Sequence, residues 1–328
     1  CDYSRWDEIV NETKGEKTIG DSLTTVKTKS FDWRKVHDAN LSTSGYFDNN
    51  PDVHWNGTEN NGWMTSVKFQ GDSASGNDCY NGCYIFSPIG ALEAELNVYF
   101  NEHIDYNLSE QHLMDCLNVY DPGSNCKKGG DSDSLFNFIN LGGYYFVDEF
   151  SHAWEDTMLG FCDDVSPVVS KIETGGMIRI NDDENSTKRA LIEYGPLSAF
   201  PRSGHICVLT GFKTIMAGDS VYLGSQWANP YIIIDSDNAL VGRNYWIFKE
   251  SVGLGHAMNG YTHILGPLNK MPISKNSFAF VLPFTDLMDT TLIPSYYDKD
   301  GDGYYNWGIG DKPAGCPGPD LRDCNDNN

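Results

Sequence analysis

The sequence predicts an α+β protein in which a mainly helical half is followed by a mainly strand-forming half. Its 328 residues are 40% hydrophobic and 21% charged, which is the composition of a globular chain with enough apolar material for a core. Apolar residues recur at helical spacing in the first half, whereas short apolar runs bounded by Gly, Asn and Asp follow in the second. Separate helical and strand-forming halves are typical of α+β proteins rather than of alternating α/β folds.

The part of the chain before residue 195 contains four predicted helices. Within residues 83–101, apolar residues such as Ile85 and Ile89 recur at helical spacing, which indicates a partly buried helix. The other predicted helices cover residues 108–117, 133–141 and 188–194. Gly195-Pro196 ends the last of them, because Gly and Pro are common helix stop signals.

The second half contains five predicted strands, and composition divides the whole chain into three parts. The predicted strands are residues 206–212, 231–234, 245–249, 261–265 and 278–282. Residues 1–30 are polar without a sustained period and predict an N-terminal arm. Residues 31–286 predict one globular domain, and residues 287–328 form an acidic extension.

The charge balance excludes two classes of partner. The chain has 23 Lys and Arg against 46 Asp and Glu, a formal net charge of −23. Nucleic acids and anionic membrane surfaces are themselves negative and would repel such a chain. No apolar run approaches the ~20 residues that a membrane span needs, so we expect no membrane span.

Cysteines and glycosylation patterns favour an extracellular or cell-surface location. The chain has nine cysteines, an odd number that leaves at least one thiol without an intramolecular partner. So many cysteines are more common in oxidising compartments than in the cytosol. Five Asn-X-Ser/Thr patterns are glycosylation candidates, at Asn11, Asn40, Asn56, Asn107 and Asn185.

Four residues far apart in the sequence form a candidate constellation for nucleophilic catalysis. Cys83 lies at the predicted start of a helix, where unpaired N–H groups favour a thiolate. Gln70 lies upstream and can donate an N–H group to a developing oxyanion. His205 heads a predicted strand and Glu250 follows another, so that an imidazole base can be oriented by a third polar group. Each residue alone is more often structural, so the prediction depends on the combination.

The extension contains an acidic turn with the pattern of a Ca²⁺ loop. Carboxylates stand at loop positions 1, 3 and 5, a Gly at position 6 and a backbone carbonyl at position 7. The predicted ligands are Asp298, Asp300, Asp302 and Tyr304. Ile309 stands where a bidentate Glu is usual, so an acidic solvated linker is the alternative. Farther along, Cys316 and Cys324 enclose a Pro- and Gly-rich loop and are expected to pair.

Together these motifs resemble the papain-like (C1A) cysteine peptidases over about residues 31–285. The matching segments, in the family's order, are 32–34, 67–71, 79–87, 108–116, 125–130, 204–205, 245–246 and 259–261. The resemblance implies a two-lobe α+β fold, with a helical left lobe and an antiparallel, barrel-like right lobe. The extension is similar to the Ca²⁺-binding extensions of some secreted bacterial peptidases, which implies a short irregular metal-binding tail.

The resemblance also implies roles for single residues. Cys83 corresponds to the nucleophile, His205 to its acid/base partner and Gln70 to the oxyanion donor, with a peptide or protein as substrate and no cofactor for catalysis. The implied disulfides are Cys79–Cys126 and Cys116–Cys162, which leaves Cys83 free and Cys207 buried and free.

Several positions depart from the family pattern. Glu250 replaces the Asn that orients the imidazole, and Val252 replaces an indole that shields this hydrogen bond, which predicts that water reaches it. The interval between Gln70 and Cys83 is several residues longer, which can displace the oxyanion donor. Pro88 lies early in the predicted nucleophile helix.

Two interpretations therefore stay open. The first is an active, secreted thiol endopeptidase. The second is a catalytically impaired papain-fold module with a structural or binding role in an extracellular assembly. In the second case the N-terminal arm and the C-terminal tail are the candidates for self-association.

Overall fold

A computed structural model describes most of the predicted globular domain. The described residues are 30–34, 63–71, 80–100, 106–141, 144, 146–147, 149, 153–155, 162, 171–181, 183–202, 204–222, 231–255, 260–265, 277–280, 286–287, 303, 305 and 317–319. The predicted arm lies outside them except for Ser30, and so does most of the predicted extension. The boundaries between arm, domain and extension therefore stay predictions.

The described residues contain four α-helices, and each overlaps a predicted one. They are α1 (Cys83–Phe100), α2 (Glu110–Tyr120), α3 (Ser132–Asn140) and α4 (Glu184–Glu193). The main difference is at α4, which begins at Glu184 rather than at the predicted Lys188. Asp183 explains the earlier start, because its side chain accepts a hydrogen bond from the backbone N–H of Ser186 and caps the helix.

The strands of the described residues form three separate sheets. In chain order they are β1 (Ser30–Asp32), β2 (Phe146–Val147), β3 (Lys171–Glu173), β4 (Met177–Ile180), β5 (Leu197–Arg202), β6 (His205–Thr214), β7 (Ser220–Tyr222), β8 (Tyr231–Ile233), β9 (Asn244–Lys249), β10 (Tyr261–Leu265), β11 (Ser277–Phe280) and β12 (Asp286–Leu287). The main sheet has seven strands in the order β10-β9-β6-β5-β11-β4, with β1 paired to β6. The smaller sheets are β12-β3-β2 and β7-β8.

The strands in these sheets pair in antiparallel fashion. The five predicted strands correspond to β6, β8, β9, β10 and β11. The other seven strands, among them β4 and β5 of the main sheet, have no predicted counterpart. Pro201 lies within β5, and a proline inside an apolar run argues against a strand at the level of sequence. Strand β5 nevertheless pairs with β6 in the sheet, with a shift of register between Ala199 and Arg202.

Helix α1 runs through the centre of the fold and is buried more completely than its sequence predicts. Residues 84–97 are all buried, although the pattern indicates a partly buried helix. The reason is that α1 packs against β5 and β6 as well as against α2. Pro88 lies inside this helix, where it cannot donate a hydrogen bond to the preceding turn. The main hydrophobic core lies along α1 and includes Ile89 and Leu209.

One buried carboxylate of α1, that of Glu93, belongs to an ion cluster that we call the Lys68 cluster, formed by Lys68, Glu93 and Glu110. Lys68 Nζ lies 2.7 Å from an oxygen of each carboxylate and 2.9 Å from the Leu108 carbonyl. Burial opposes the charge of Lys68, but the two carboxylates outweigh it and raise the pKa of Lys68. Burial raises the pKa of Glu110 to about 8 despite the charge of Lys68. The cluster fixes the segment that ends at Gln70 against α1 and α2.

In the part of the chain that the structure describes, no helix has both the length and the apolar character needed to cross a membrane.

Candidate active site

Cys83 is the first residue of α1, so its thiol lies at the positive end of the helix dipole. The helix begins where the backbone N–H groups of Ile85 and Phe86 both donate to the Gly82 carbonyl. Cys83 is a free cysteine with a partly exposed side chain. A free, accessible thiol at a helix N-terminus can act as a nucleophile.

His205 is the first residue of β6, directly after the turn that connects β5 to β6. Gly204 makes this turn with a φ of 74°, a conformation that a residue with a side chain rarely adopts. The imidazole Nε2 lies 2.6 Å from Glu250 Oε2, and the Cys83 side chain is a second hydrogen-bond partner of the ring. Because Nε2 already faces Glu250, Nδ1 is the nitrogen left for Cys83.

Glu250 follows β9 and lies at the centre of a group that we call the His205 cluster, which comprises His205, Cys207, Glu250 and Thr262. The Glu250 carboxylate accepts hydrogen bonds from His205 Nε2, from the Cys207 thiol at 3.1 Å and from the Thr262 hydroxyl at 2.9 Å. Cys207 Sγ also lies 3.0 Å from His205 Nε2. Both carboxylate oxygens are therefore satisfied by side chains of the main sheet.

The structure contradicts the expectation that water reaches this carboxylate. Val252 does stand where the family's indole is expected, but the Glu250 side chain is only 1% exposed. Its two oxygens accept hydrogen bonds from the Cys207 thiol and the Thr262 hydroxyl.

The protonation of the His205 cluster follows from these contacts. Burial would raise the pKa of Glu250, but the hydrogen bond and charge of His205, together with the Cys207 and Thr262 donors, lower it to about 2. Burial would lower the pKa of His205, but its interactions with Cys207, Cys83 and Glu250 raise it. Burial and the neighbouring Glu250 charge raise the pKa of Cys207 to about 12. At neutral pH the group holds an ionised Glu250, a charged imidazolium and a neutral Cys207 thiol.

Gln70 is fixed between the segments that carry Glu250 and Cys83. Its backbone N–H donates to the Ser251 carbonyl at 2.8 Å, and its side-chain oxygen accepts the Ser251 hydroxyl at 2.5 Å. Its side-chain nitrogen donates to the Tyr80 carbonyl at 2.7 Å. An amide nitrogen carries two N–H groups, so one of them remains to stabilise an oxyanion. The longer loop, residues 72–79, lies outside the described residues.

Two residues of this site were not predicted as site residues, namely Cys207 and Thr262. Cys207 had a usable signal, because residues two apart on a strand point to the same face and His205 begins that strand. Thr262 had no such signal, because its place beside Glu250 depends on the pairing of β10 with β9.

The cysteine pairing agrees with the resemblance where it is described. Cys116 is bonded to Cys162, and Cys126 is also disulfide-bonded, while Cys83 and the buried Cys207 are free. The predicted partner Cys79 lies outside the described residues, as do Cys1, Cys316 and Cys324.

The remaining predicted sites are covered only in part. The predicted metal ligands Asp298, Asp300, Asp302 and Tyr304 and the glycosylation candidates Asn11, Asn40 and Asn56 all lie outside the described residues. Of the two described candidates, Asn107 is exposed and Asn185 lies half-buried in the first turn of α4.

Comparison with known proteins matches the sequence to one family. Residues 51–281 match the family model described as papain family cysteine protease. The chain is 28% identical over 204 residues to cathepsin S of Mus musculus, an alignment that covers 61% of this chain and 55% of that protein. It is 30% identical over 204 residues to thiol protease SEN102 of Hemerocallis sp., covering 61% of this chain and 51% of that one. The chain thus spans about half the length of these curated relatives.

The fold is similar to that of a solved structure of digestive procathepsin L 3 from Tenebrio molitor larval midgut. The TM-score is 0.53 at 21% sequence identity, and the match covers 85% of this chain and 79% of that one. This likeness confirms the predicted papain-like α+β fold. Because the family model also matches more than half of its residues, the chain belongs to the papain family of cysteine proteases.

Proposed function

We propose that this chain hydrolyses peptide bonds in peptide or protein substrates with an unusual Cys83–His205–Glu250 triad. The observation that carries the proposal is the 2.6 Å contact between His205 Nε2 and Glu250 Oε2, on a ring that also has Cys83 as a hydrogen-bond partner. A thiol, an imidazole and an orienting acceptor in this order are the elements of nucleophilic catalysis.

In the proposed reaction, the Cys83 thiolate attacks the substrate carbonyl carbon and forms a tetrahedral intermediate. The remaining Gln70 N–H and backbone N–H groups at the start of α1 stabilise its oxyanion. The His205 imidazolium donates its proton to the leaving amine, which leaves an acyl group on Cys83. The neutral imidazole then takes a proton from a water molecule as the water oxygen attacks the acyl carbon. The bond to the Cys83 sulfur breaks, which releases the acid and restores the thiolate–imidazolium pair.

Glu250 is proposed to perform the orienting role of the family's Asn in a different way. A neutral amide only orients the imidazole, whereas an ionised carboxylate also stabilises its positive charge. Glu has one methylene more than Asn, so the longer side chain needs to be fixed. The Cys207 thiol and the Thr262 hydroxyl support this part of the proposal, because they bond the two carboxylate oxygens from opposite strands.

Covalent labelling combined with turnover tests the proposal. A thiol-directed epoxide is expected to label Cys83 in the native protein between pH 5 and pH 8, and a fluorogenic peptide is expected to be cleaved. Cys83→Ala should lose both signals, whereas Cys207→Ser should keep the label, since Cys207 is buried. Failure of the native protein to react with the epoxide or to cleave any peptide of a broad library would overturn the proposal.

The second candidate is a papain-fold module with impaired catalysis and a binding or structural role in an extracellular assembly. It is favoured by the hydrogen bonds that the Gln70 side chain already makes to Tyr80 and Ser251, because these restrict its movement toward an oxyanion. The same experiment separates the two candidates. An unreactive Cys83 in a folded protein is the outcome that this second function requires.

We also propose that the protein works in an oxidising, extracytoplasmic compartment. The Cys116–Cys162 disulfide supports this location, because such bonds are rare in reducing compartments. Fractionation of the native host with an antibody should recover the chain outside the cytoplasm, with the disulfide intact in a thiol-blocked peptide map. Recovery as a reduced cytosolic protein would contradict it.

A structural Ca²⁺ site in the extension is the last part of the proposal. Gly303, at loop position 6, has a φ of 88°, which suits the sharp turn that a Ca²⁺ loop makes at that position. Calorimetric titration of the chelator-treated protein with Ca²⁺ should show binding that Asp300→Asn weakens. If the titration shows no binding of Ca²⁺, the extension is an acidic linker instead.

A further inference from the structure

The His205 cluster contains a free thiol that the proposed mechanism does not use as a nucleophile. Cys207 lies two residues after His205 on β6, and its side chain is buried beside the imidazole and Glu250. His205, Cys207 and Glu250 each offer one ligand atom, and the three atoms lie within 4.8 Å of one another. A ring nitrogen, a sulfur and a carboxylate oxygen form a donor set that Zn²⁺ binds in proteins.

The geometry points to a second use of this group: we propose that His205 Nε2, Cys207 Sγ and Glu250 Oε2 bind one Zn²⁺ ion. The three atoms are separated by 2.6, 3.0 and 3.1 Å. Zinc bonds to such atoms are about 2.0–2.3 Å long, so one ion above the triangle can contact all three. The partly exposed His205 side chain gives the ion a route to the site.

The surroundings of the three atoms supply the outer partners that zinc ligands commonly have. Thr262 donates to Glu250 Oε1, the oxygen that the ion does not need, and so fixes the carboxylate. On the far side of the imidazole, Cys83 is a hydrogen-bond partner of the ring and can hold the orientation in which Nε2 faces the ion. The nucleophile is thus an outer partner of the site and not one of its ligands.

Binding of the ion requires the loss of two protons. The Cys207 thiol releases one proton to solvent when the sulfur becomes a thiolate ligand, and the imidazolium releases the other from Nε2. The charges of the thiolate and the carboxylate together then balance that of Zn²⁺. The imidazole can no longer form its ion pair with Glu250, so an occupied site excludes the catalytic state. Inhibition by zinc rests on the proposed function, whereas binding of zinc does not.

The test uses full-length Cys83→Ala protein, which lacks the nucleophile but keeps all three ligands. With Ca²⁺ in excess to occupy the extension, a chromophoric chelator competition with Zn²⁺ should detect one tight ion per chain. Adding Cys207→Ser, which replaces the sulfur by a smaller hydroxyl oxygen, should lower the affinity for Zn²⁺ by about 100-fold or more. Co²⁺ in place of Zn²⁺ should give a thiolate-to-cobalt absorption band in Cys83→Ala and not in the double variant. Thermal melting verifies that both proteins are folded, and Cys207→Val is a second variant with the same expectation.

Two results would overturn the inference. One is equal zinc affinity with and without Cys207, and the other is tight zinc binding that disappears when Cys83 alone is replaced. In the unmodified protein, zinc is expected to inhibit peptide cleavage reversibly. Cys207→Ser should be at least tenfold less sensitive to zinc, when the activity of each protein is compared with its own zinc-free rate. A protein that binds zinc through Cys207 but cleaves no peptide would refute the proposed function and retain the zinc site.

Discussion

The molecule has two buried charged groups side by side, the Lys68 cluster and the His205 cluster, and they balance charge in opposite ways. Both line the same small cavity next to α1. In the Lys68 cluster one cation is shared by two carboxylates, and the pKa of Glu110 is raised to about 8. In the His205 cluster one carboxylate is shared by three donors, and the pKa of Glu250 is lowered to about 2.

The difference separates a structural role from a chemical one. Lys68 is enclosed by partners that only hold it in place, and its cluster joins Gln70's segment to two helices. The His205 cluster instead leaves one edge of the imidazole to Cys83 and to solvent. Because Cys207 and Thr262 also donate hydrogen bonds to the Glu250 carboxylate, this group can hold its position and keep the imidazole charged. The first cluster should therefore govern stability and the second should govern reactivity.

Replacing Lys68 is expected to have the largest effect on stability. Lys68→Met leaves the buried Glu93 and Glu110 without their cation, and breaking a buried ion pair in this way costs about 3–5 kcal/mol of unfolding free energy. Urea unfolding measures the loss. The matched control is Lys213→Met, which removes a more exposed ion pair with Asp219 and should cost less than about 1 kcal/mol. Equal losses for the two variants would show that Lys68 has no special structural role.

Replacing Glu250 by its neutral isostere is expected to reduce activity by about 10- to 100-fold. Glu250→Gln can still accept a hydrogen bond but no longer stabilises the imidazolium charge, so the pKa of His205 should fall. The alkaline limb of the kcat/KM profile should then move to lower pH. If the profile keeps its alkaline limb, the carboxylate charge has no part in holding the imidazolium.

Glu250 should also contribute to stability over a defined pH range. Its pKa is lowered from 4.5 to about 2 by folding, so its contribution is present above pH 4.5 and is lost as pH falls toward 2. The pKa of His205 is raised from 6.5, so its contribution is complete below that pH and is lost only at high pH. The stability contribution of the pair is therefore greatest between pH 4.5 and 6.5.

Unfolding free energies of the wild type and Glu250→Gln, measured from pH 2 to pH 7, test this window. The difference between the two proteins should be on the order of 1–3 kcal/mol near pH 6 and should shrink toward zero near pH 2. A difference that stays constant across this range would indicate that packing, and not charge, explains the effect of the substitution.

The sequence was sufficient for the fold class and for the residues that motifs mark. The helix that begins at Cys83 and the strand that carries His205 follow from local periodicity, and Glu250 follows from its place after a strand. The motifs predicted that Glu250 orients His205, but they predicted neither the Lys68 cluster nor the place of Thr262 beside Glu250. Lys68 meets Glu110 only because its segment packs against α1 and α2, and Thr262 meets Glu250 only through strand register. Local patterns specify which elements form, while contacts between distant elements depend on tertiary packing.

The smallest effect is expected at Thr262, where the comparison can be sharpened to a single hydroxyl. Thr262→Val removes the donor to Glu250 Oε1 and leaves that buried oxygen unsatisfied, so the carboxylate loses one of the bonds that fix its orientation. We expect kcat to fall by about tenfold with little change in KM, because the hydroxyl contacts Glu250 rather than substrate. Thr262→Ser restores the hydroxyl and should recover most of the activity. A merely structural role predicts the opposite pattern: Ser, which lacks the packed methyl group, would then be no better than Val, and both would lower stability without changing the pH profile.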